Sequence, residues 1–310
     1  MLPPPVRGPV IDCHSHLLAA RHAPTWFQAA DQFGIDHTIT MTPLEEVIKL
    51  QAGPFASRLT FIAVPAWEEG GYDEHNFWPR VDGYRNLGVR VVKFHLAPQT
   101  MAKTDLWLGS DRLRKYLDLT VDRGMIIMSH IGDPSAWYDH PDRYGYDPEF
   151  YGTRDQHYDA WRSHLEETRG HPWWGAHLGG NPEDLPRLQS LLDDFPDLML
   201  DLSATKWMVR SLGDQRDAAR EFLIKNSGRL MWGSDQVSHD TRDYDFLASR
   251  WWCHRKLFET AYEGESPIAD PDATQPPTLR GLALPDDVLQ KIYQTNIAGF
   301  LNLHPLIHGS

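Results

Sequence analysis

The strongest constraint on this chain is an alternation that runs from end to end. Eight short runs rich in β-branched and other apolar residues are separated by stretches of helical periodicity. The runs are Val10–His16, His37–Met41, Leu59–Trp67, Val89–Leu96, Met125–His130, Trp174–Leu178, Leu198–Ser203 and Arg229–Ser234. Several are almost continuously apolar, as parallel strands covered on both faces must be. The alternation predicts an α/β fold: one (β/α)8 TIM barrel spanning residues 1–310. A doubly wound open sheet is the alternative. No Gly-x-Gly-x-x-Gly follows the first strand, which removes its nucleotide-binding form.

The helices between the strands announce their ends. Thr42-Pro43-Leu44-Glu45 reads as a capping box with proline at the first helical position, and Gly53 closes that helix. Ser110-Asp111 opens another, with Leu113, Leu117 and Val121 as its apolar stripe and Gly124 as its stop. Asn181-Pro182-Glu183-Asp184 caps a third, and Pro285-Asp286-Asp287 begins the last.

Three stretches stand outside a minimal barrel. Residues 1–8 read as an N-terminal tail. Residues 132–158, after the fifth strand, hold Trp137, Tyr138, Tyr144, Tyr146, Phe150, Tyr151 and Tyr158, and read as a lid-like loop. The alternative is an insertion packed on the side of the barrel. Residues 266–281 are rich in Pro, Asp and Thr and read as a surface connection.

Composition narrows the class of function. The formal net charge of −13 argues against a nucleic-acid or anionic-membrane partner, since both require a basic face. The first seven residues carry no apolar signal region, no run approaches the length of a membrane span, and the two cysteines, Cys13 and Cys253, cannot form a disulfide scaffold. A cytoplasmic protein with a small-molecule substrate is expected, and a homo-oligomer is compatible with the sequence.

Chemistry concentrates at the strand ends. Along Val10-Ile11-Asp12-Cys13-His14-Ser15-His16, side chains alternate faces, so Asp12, His14 and His16 point the same way. Two imidazoles two residues apart on one strand can reach one cation. Strand four ends in Lys93-Phe94-His95, strand five in Ser129-His130, strand six in Ala176-His177 and strand eight in Gly233-Ser234-Asp235. A barrel brings these ends to one rim, and imidazole with carboxylate is the usual donor set of a divalent metal site with an open position. Trp67, Trp137 and Trp232 fall near strand ends and are candidates for an aromatic pocket. Arg143 and Arg154 in the lid are candidates to clamp an anion, with plain surface solvation as the alternative. Most other histidines, among them His22, His37, His254, His304 and His308, read as ordinary surface or packing residues.

These pieces resemble the amidohydrolase superfamily, in its amidohydrolase-related branch. That branch includes aminocarboxymuconate semialdehyde decarboxylase, aromatic-acid decarboxylases and pyrone-dicarboxylate lactonase. The matching segments are Asp12-Cys-His-Ser-His16, Lys93-Phe-His95, Ser129-His130, Gly175-Ala-His-Leu-Gly-Gly180, Asp201-Leu-Ser203 and Trp232-Gly-Ser-Asp235, in the family's order. The resemblance implies His14, His16 and His130 as metal ligands, and Asp235 as ligand or as general base beside the metal. It implies His177 as the residue that polarises substrate or orients water, and Asp201 and Ser203 as outer contacts of the site. Lys93, His95, Trp67, Trp137 and Arg154 are expected to face substrate. The implied cofactor is one divalent ion, Zn2+ with Mn2+ as the alternative. A second ion bridged by carboxylated Lys93 is the other arrangement.

Three activities follow from that reading. The first is a metal-dependent hydrolase acting on a lactone, ester or amide of a small carboxylated or aromatic compound. The second is a metal-dependent non-oxidative decarboxylase of an aromatic or enoic acid. The third is a metal-binding barrel without catalysis.

Overall fold

The structure is a computed structural model of the 310-residue chain, and it describes residues 9–273 and 277–303. The tail at 1–8, part of the surface connection at 266–281, and His304 and His308 lie outside the described residues. The fold is α/β with a nine-stranded parallel sheet. Among the described residues the strands are β1 (Val10–His16), β2 (Ile35–Met41), β3 (Leu59–Ala63), β4 (Val91–Leu96), β5 (Ile126–Ile131), β6 (Trp173–Gly175), β7 (Leu198–Asp201), β8 (Leu230–Met231), β9 (Gln236–Val237), β10 (Glu263–Glu265) and β11 (Thr278–Arg280). The chain divides into two compact units, one of Met1–Phe61 with Asp201–Ser310 and one of Ile62–Leu200.

In the first unit β1 is the organising strand. It pairs in parallel with β2 on one side, Ile11 opposite His37, and with β9 on the other, His16 opposite Val237. Asp12, His14 and His16 alternate along it with Ile11 and Cys13, which are sealed in the core. Helix Ala23–Gln32 buries Trp26, Phe27, Ala29 and Ala30, a helical-period stripe, and Trp26 meets Trp251 of helix Tyr244–Glu259 edge to face at 5.3 Å. Each side chain of this size contributes about 2–3 kcal/mol by leaving water. Cys13 and Cys253 are both buried as free thiols. The expected surface connection at 266–281 includes β11, which pairs antiparallel with β10 just ahead of the connection, Glu263 opposite Arg280.

In the second unit β3 to β7 are neighbours in order, all parallel. The β4–β5 register sets Lys93 beside Met128 and His95 beside His130. Helix Asp111–Asp122 starts as expected: the Ser110 hydroxyl accepts from the Leu113 amide at 3.1 Å. Its buried face is Leu113, Tyr116, Leu117 and Thr120, and Val121 sits at the margin. Tyr116 packs with Tyr72 and Phe77, and these two also pack on Phe94 of β4.

Three local expectations change. Helix Leu44–Gln51 has Pro43 rather than Thr42 at its N-cap position, and the Thr42 hydroxyl donates to the Leu17 carbonyl at 2.9 Å. Strand three stops at Ala63, where Pro65–Trp67 forms a 3-10 turn. Strand six stops at Gly175, because the next residues leave the extended conformation altogether. Residues 132–158, read as a lid-like loop, contain the short helices Ser135–Asp139, Pro141–Tyr144 and Pro148–Tyr151 and the first turn of Arg154–Glu167. The aromatic residues of that segment pack on one another, Trp137 on Tyr144 at 5.0 Å and Tyr138 on Tyr146 at 4.8 Å.

Candidate metal centre

The site in the first unit grows out of β1. His14 and His16 present their rings 5.7 Å apart on the same side of the strand. Both Nε2 atoms converge on one oxygen, Asp235 Oδ1, at 3.3 Å from His14 and 2.8 Å from His16. Two imidazole nitrogens and a carboxylate oxygen therefore meet at one point, with His14 sealed from solvent and Asp235 partly open.

The backbone after β8 delivers Asp235. Gly233 lies so close to β1 that a Cβ there would stand 2.6 Å from His14 Cβ, so a side chain at this position would push the two segments apart. Asp235 has φ 55°, a left-handed conformation that costs a non-glycine residue about 1–2 kcal/mol. Three contacts hold it there. Its amide donates to the His14 carbonyl at 2.6 Å, the Ser238 amide donates to the His16 carbonyl at 2.8 Å, and β9 pairs with β1 between them.

Asp12 is the fastener of this loop, a role not assigned from sequence. Its Oδ1 accepts from the Ser234 amide at 2.9 Å. Its Oδ2 accepts from the Ser234 hydroxyl and from Trp251 Nε1, the latter at 3.0 Å. Burial pushes its carboxyl up to about 6, against the lowering effect of these donors. The even parity with His14 and His16 was the available signal for it.

Asp201, at the end of β7, orients His14 from behind. Its Oδ2 lies 2.8 Å from His14 Nδ1, and Ser203 Oγ lies 2.9 Å from the same nitrogen. The Ser203 amide and hydroxyl both donate to Asp201 Oδ1. A carboxylate at Nδ1 places the ring proton on that atom and leaves the Nε2 lone pair directed toward Asp235. The donor set fits a divalent cation on this ground. Donor atoms around a tetrahedral ion with bonds of about 2.0–2.1 Å lie about 3.3 Å apart, which is the His14 Nε2–Asp235 Oδ1 separation, while His16 Nε2 at 2.8 Å stands at hydrogen-bond distance from the same oxygen.

In the second unit a row of rings follows the strand ends. Trp67 Nε1 donates to His95 Nδ1 at 3.3 Å, the His95 and His130 rings are 6.1 Å apart, and the His130 and His177 rings meet edge to face at 4.7 Å. His130 Nε2 lies 2.9 Å from the Gly132 carbonyl. Lys93 is buried, two residues before His95 on β4. Arg154 pairs with Glu183 at 3.0 Å and donates to the Gly180 carbonyl at 3.3 Å. Trp137 stands in the stack with Tyr144. His177 and Leu178 are both left-handed, at φ 55° and 51°, and Gly179 and Gly180 continue the same sense at 61° and 71°. Sequence patterning extends strand six to Leu178; Gly179-Gly180 is the one local turn signal, and it leaves His177 and Leu178 unmarked.

Thus His14, His16 and Asp235 come together in one unit with Asp201 and Ser203 behind them. Trp67, His95, His130 and His177 come together in the other.

No protein-family model and no curated protein sequence matches the chain. Solved structures do. A TIM-barrel protein from Bordetella bronchiseptica is 15% identical, with 94% of this chain and 98% of that one covered and a TM-score of 0.59. A Pseudomonas putida protein described as a 2-pyrone-4,6-dicarboxylic acid hydrolase is 15% identical, covering 95% and 97%, with a TM-score of 0.55. The 5-carboxyvanillate decarboxylase of Novosphingobium aromaticivorans, solved with manganese and 4-hydroxy-3-methoxy-5-nitrobenzoic acid, is 12% identical, covering 96% of each chain, with a TM-score of 0.53. At this level of identity the likeness shows the fold, a TIM barrel.

Proposed function

We propose that this chain is a metal-dependent enzyme of the amidohydrolase superfamily, hydrolysing a lactone, ester or amide of a small carboxylated or aromatic compound. The observation that supports it most is the convergence of His14 Nε2 and His16 Nε2 on Asp235 Oδ1, with His14 Nδ1 held by Asp201. His14, His16 and Asp235 would hold a divalent ion, Zn2+ or Mn2+. Such an ion supplies Lewis acidity, polarising a carbonyl and making a water molecule acidic near neutral pH.

The residues divide the remaining work. Asp201 and Ser203 keep His14 in one tautomer and one orientation, so Nε2 stays a donor of electron pairs. With Asp235 Oδ1 turned toward His14 and His16, its Oδ2 would be the atom that takes a proton from water and returns it to the leaving group. The resemblance adds His130 as a further ligand and His177 as the group that polarises the substrate.

A decarboxylase is the second reading, favoured by the likeness to the manganese-containing decarboxylase. The test is a substrate panel on the purified protein: lactones, esters and amides followed by acid release, aromatic and enoic acids followed by CO2 release. Hydrolysis without CO2 is the expected result. CO2 release from an acid without hydrolysis moves the assignment to the decarboxylase. Neither activity across the panel, with no metal bound, returns the chain to the non-catalytic alternative.

A further inference from the structure

We propose that Arg154, Tyr158 and Trp161 are positioning residues for His177: from one face of helix Arg154–Glu167 they hold the left-handed turn that carries it. This rests on the reading of His177 as the substrate-polarising group.

Four consecutive left-handed residues, two of them non-glycine, do not persist on their own in a chain of L-amino acids. Such a segment survives only where its surroundings over-determine it. The turn has some internal support, since the Gly180 amide donates to the Ala176 carbonyl at 3.1 Å and the Asn181 amide to the Leu178 carbonyl at 3.1 Å. The rest comes from the helix. The three residues are spaced i, i+4 and i+7, so they share one face.

Each grips a different part of the turn. The Tyr158 hydroxyl donates to the Gly179 carbonyl at 2.5 Å. Arg154 Nη2 donates to the Gly180 carbonyl at 3.3 Å while Glu183 fixes the guanidinium at 3.0 Å. Trp161 fills the space above Gly175 and Gly179, where a Cβ at either would come within 3.1 Å of its indole. On the far side, a Cβ at Gly180 would overlap the Ile131 carbonyl oxygen, so the turn is closed against β5. The helix start is itself fixed by a capping box between Thr153 and Gln156, which places Arg154 at the first helical position. Burial keeps the Tyr158 phenol protonated and therefore a donor. Releasing the Gly179 or Gly180 carbonyl lets the left-handed residues relax, and the His177 ring turns with them.

The test uses Tyr158→Phe in the full-length protein, since this change removes the donor and keeps the ring. Hydrogen exchange at the Gly180 and Asn181 amides is expected to quicken by about tenfold, the loss of one buried hydrogen bond. The His177 imidazole resonance in a 15N-histidine spectrum, assigned with His177→Gln, is expected to move. With a turned-over substrate, kcat is expected to fall by about tenfold with KM changed less than twofold. If Tyr158→Phe does not fold, Arg154→Met supplies the same readouts, and Arg154→Lys is expected to restore part of the wild-type values. Unchanged exchange and an unmoved resonance overturn the proposal. So does faster exchange with an unmoved resonance, which would make the helix a support of the backbone alone. A wild type without hydrolytic turnover overturns the functional reading instead, and the exchange and resonance measurements still decide whether the helix orients His177.

Discussion

His14 Nδ1 lies 2.8 Å from Asp201 Oδ2, across 187 residues of sequence and with both side chains sealed from water. This pair decides which face of the imidazole is offered to a ligand. Asp201→Asn keeps the size and removes the charge. Divalent-ion affinity is expected to fall by about 10–100-fold, measured by competition with a chelator. Wild-type affinity in the variant would show that the carboxylate does not orient the ring.

Asp235→Asn separates chemistry from folding. Asparagine tolerates the left-handed backbone that Asp235 adopts at φ 55°, so the loop is expected to survive. It cannot take a proton as the carboxylate does. Turnover is expected to drop by about 10²–10⁴-fold with an unchanged circular dichroism spectrum. Full activity in this variant would remove Asp235 from the mechanism.

Elemental analysis of protein purified without chelator or affinity metal is expected to find about one divalent ion per chain, lost in His14→Ala. His130→Ala tests the ligand that the resemblance adds and is expected to lower the metal content as well. Two ions per chain would instead assign Lys93 as a carboxylated bridge between them.

Gly233→Ala probes the close approach of the Asp235 loop to β1. The added methyl would stand 2.6 Å from His14 Cβ and 2.8 Å from His14 N, both backbone-anchored. A loss of about 1–3 kcal/mol in urea denaturation is expected, together with weaker metal binding. A variant as stable as wild type would mean that β1 and the loop can part without cost.

His37 links stability to acid. Burial, with Arg58 nearby, lowers its imidazole from 6.5 to about 4, and its Nε2 pairs with the Thr60 hydroxyl at 2.9 Å. The fold therefore keeps this ring neutral where the unfolded chain protonates it. The stability is complete above pH 6.5 and is lost as pH falls from 6.5 to 4, at about 1.4 kcal/mol per unit. His37→Gln is expected to flatten that limb by about 2–3 kcal/mol in total, seen as a shallower decline of the urea midpoint with pH. Asp12 acts in the opposite sense between about 6 and 3.8, but it is common to both proteins and cancels in the difference. Parallel pH curves for the two proteins would contradict the assignment.

The first strand was legible from end to end: Val10–His16 is β1, and alternation alone placed His14 and His16 on one face. Ser110 capped its helix as read. The helix after Thr42 starts one place later than read, with Pro43 at its N-cap position, and the Thr42 hydroxyl reaches the Leu17 carbonyl, a partner 25 residues away that no local pattern names. Strand six ended three residues early, because His177 and Leu178 take a conformation that their own propensities oppose. Residues 132–158 were legible as an ordered aromatic segment, but their three short helices and the stacking of Trp137 on Tyr144 and Tyr138 on Tyr146 were not.

The sequence by itself determined the α/β alternation, the polar face of β1 and the residue types able to bind a cation. These are local properties, written in periods of two and of about 3.6 residues. Only the tertiary structure decided that Asp12 fastens the Ser234 loop, that Asp201 faces His14 Nδ1, and that Asp235 meets His16 across 219 residues. Those pairings depend on which backbone segments approach closely enough to exclude side chains, as Gly233 does at His14. Close approach follows from how the elements pack, and periodicity within any one of them has no means of encoding it.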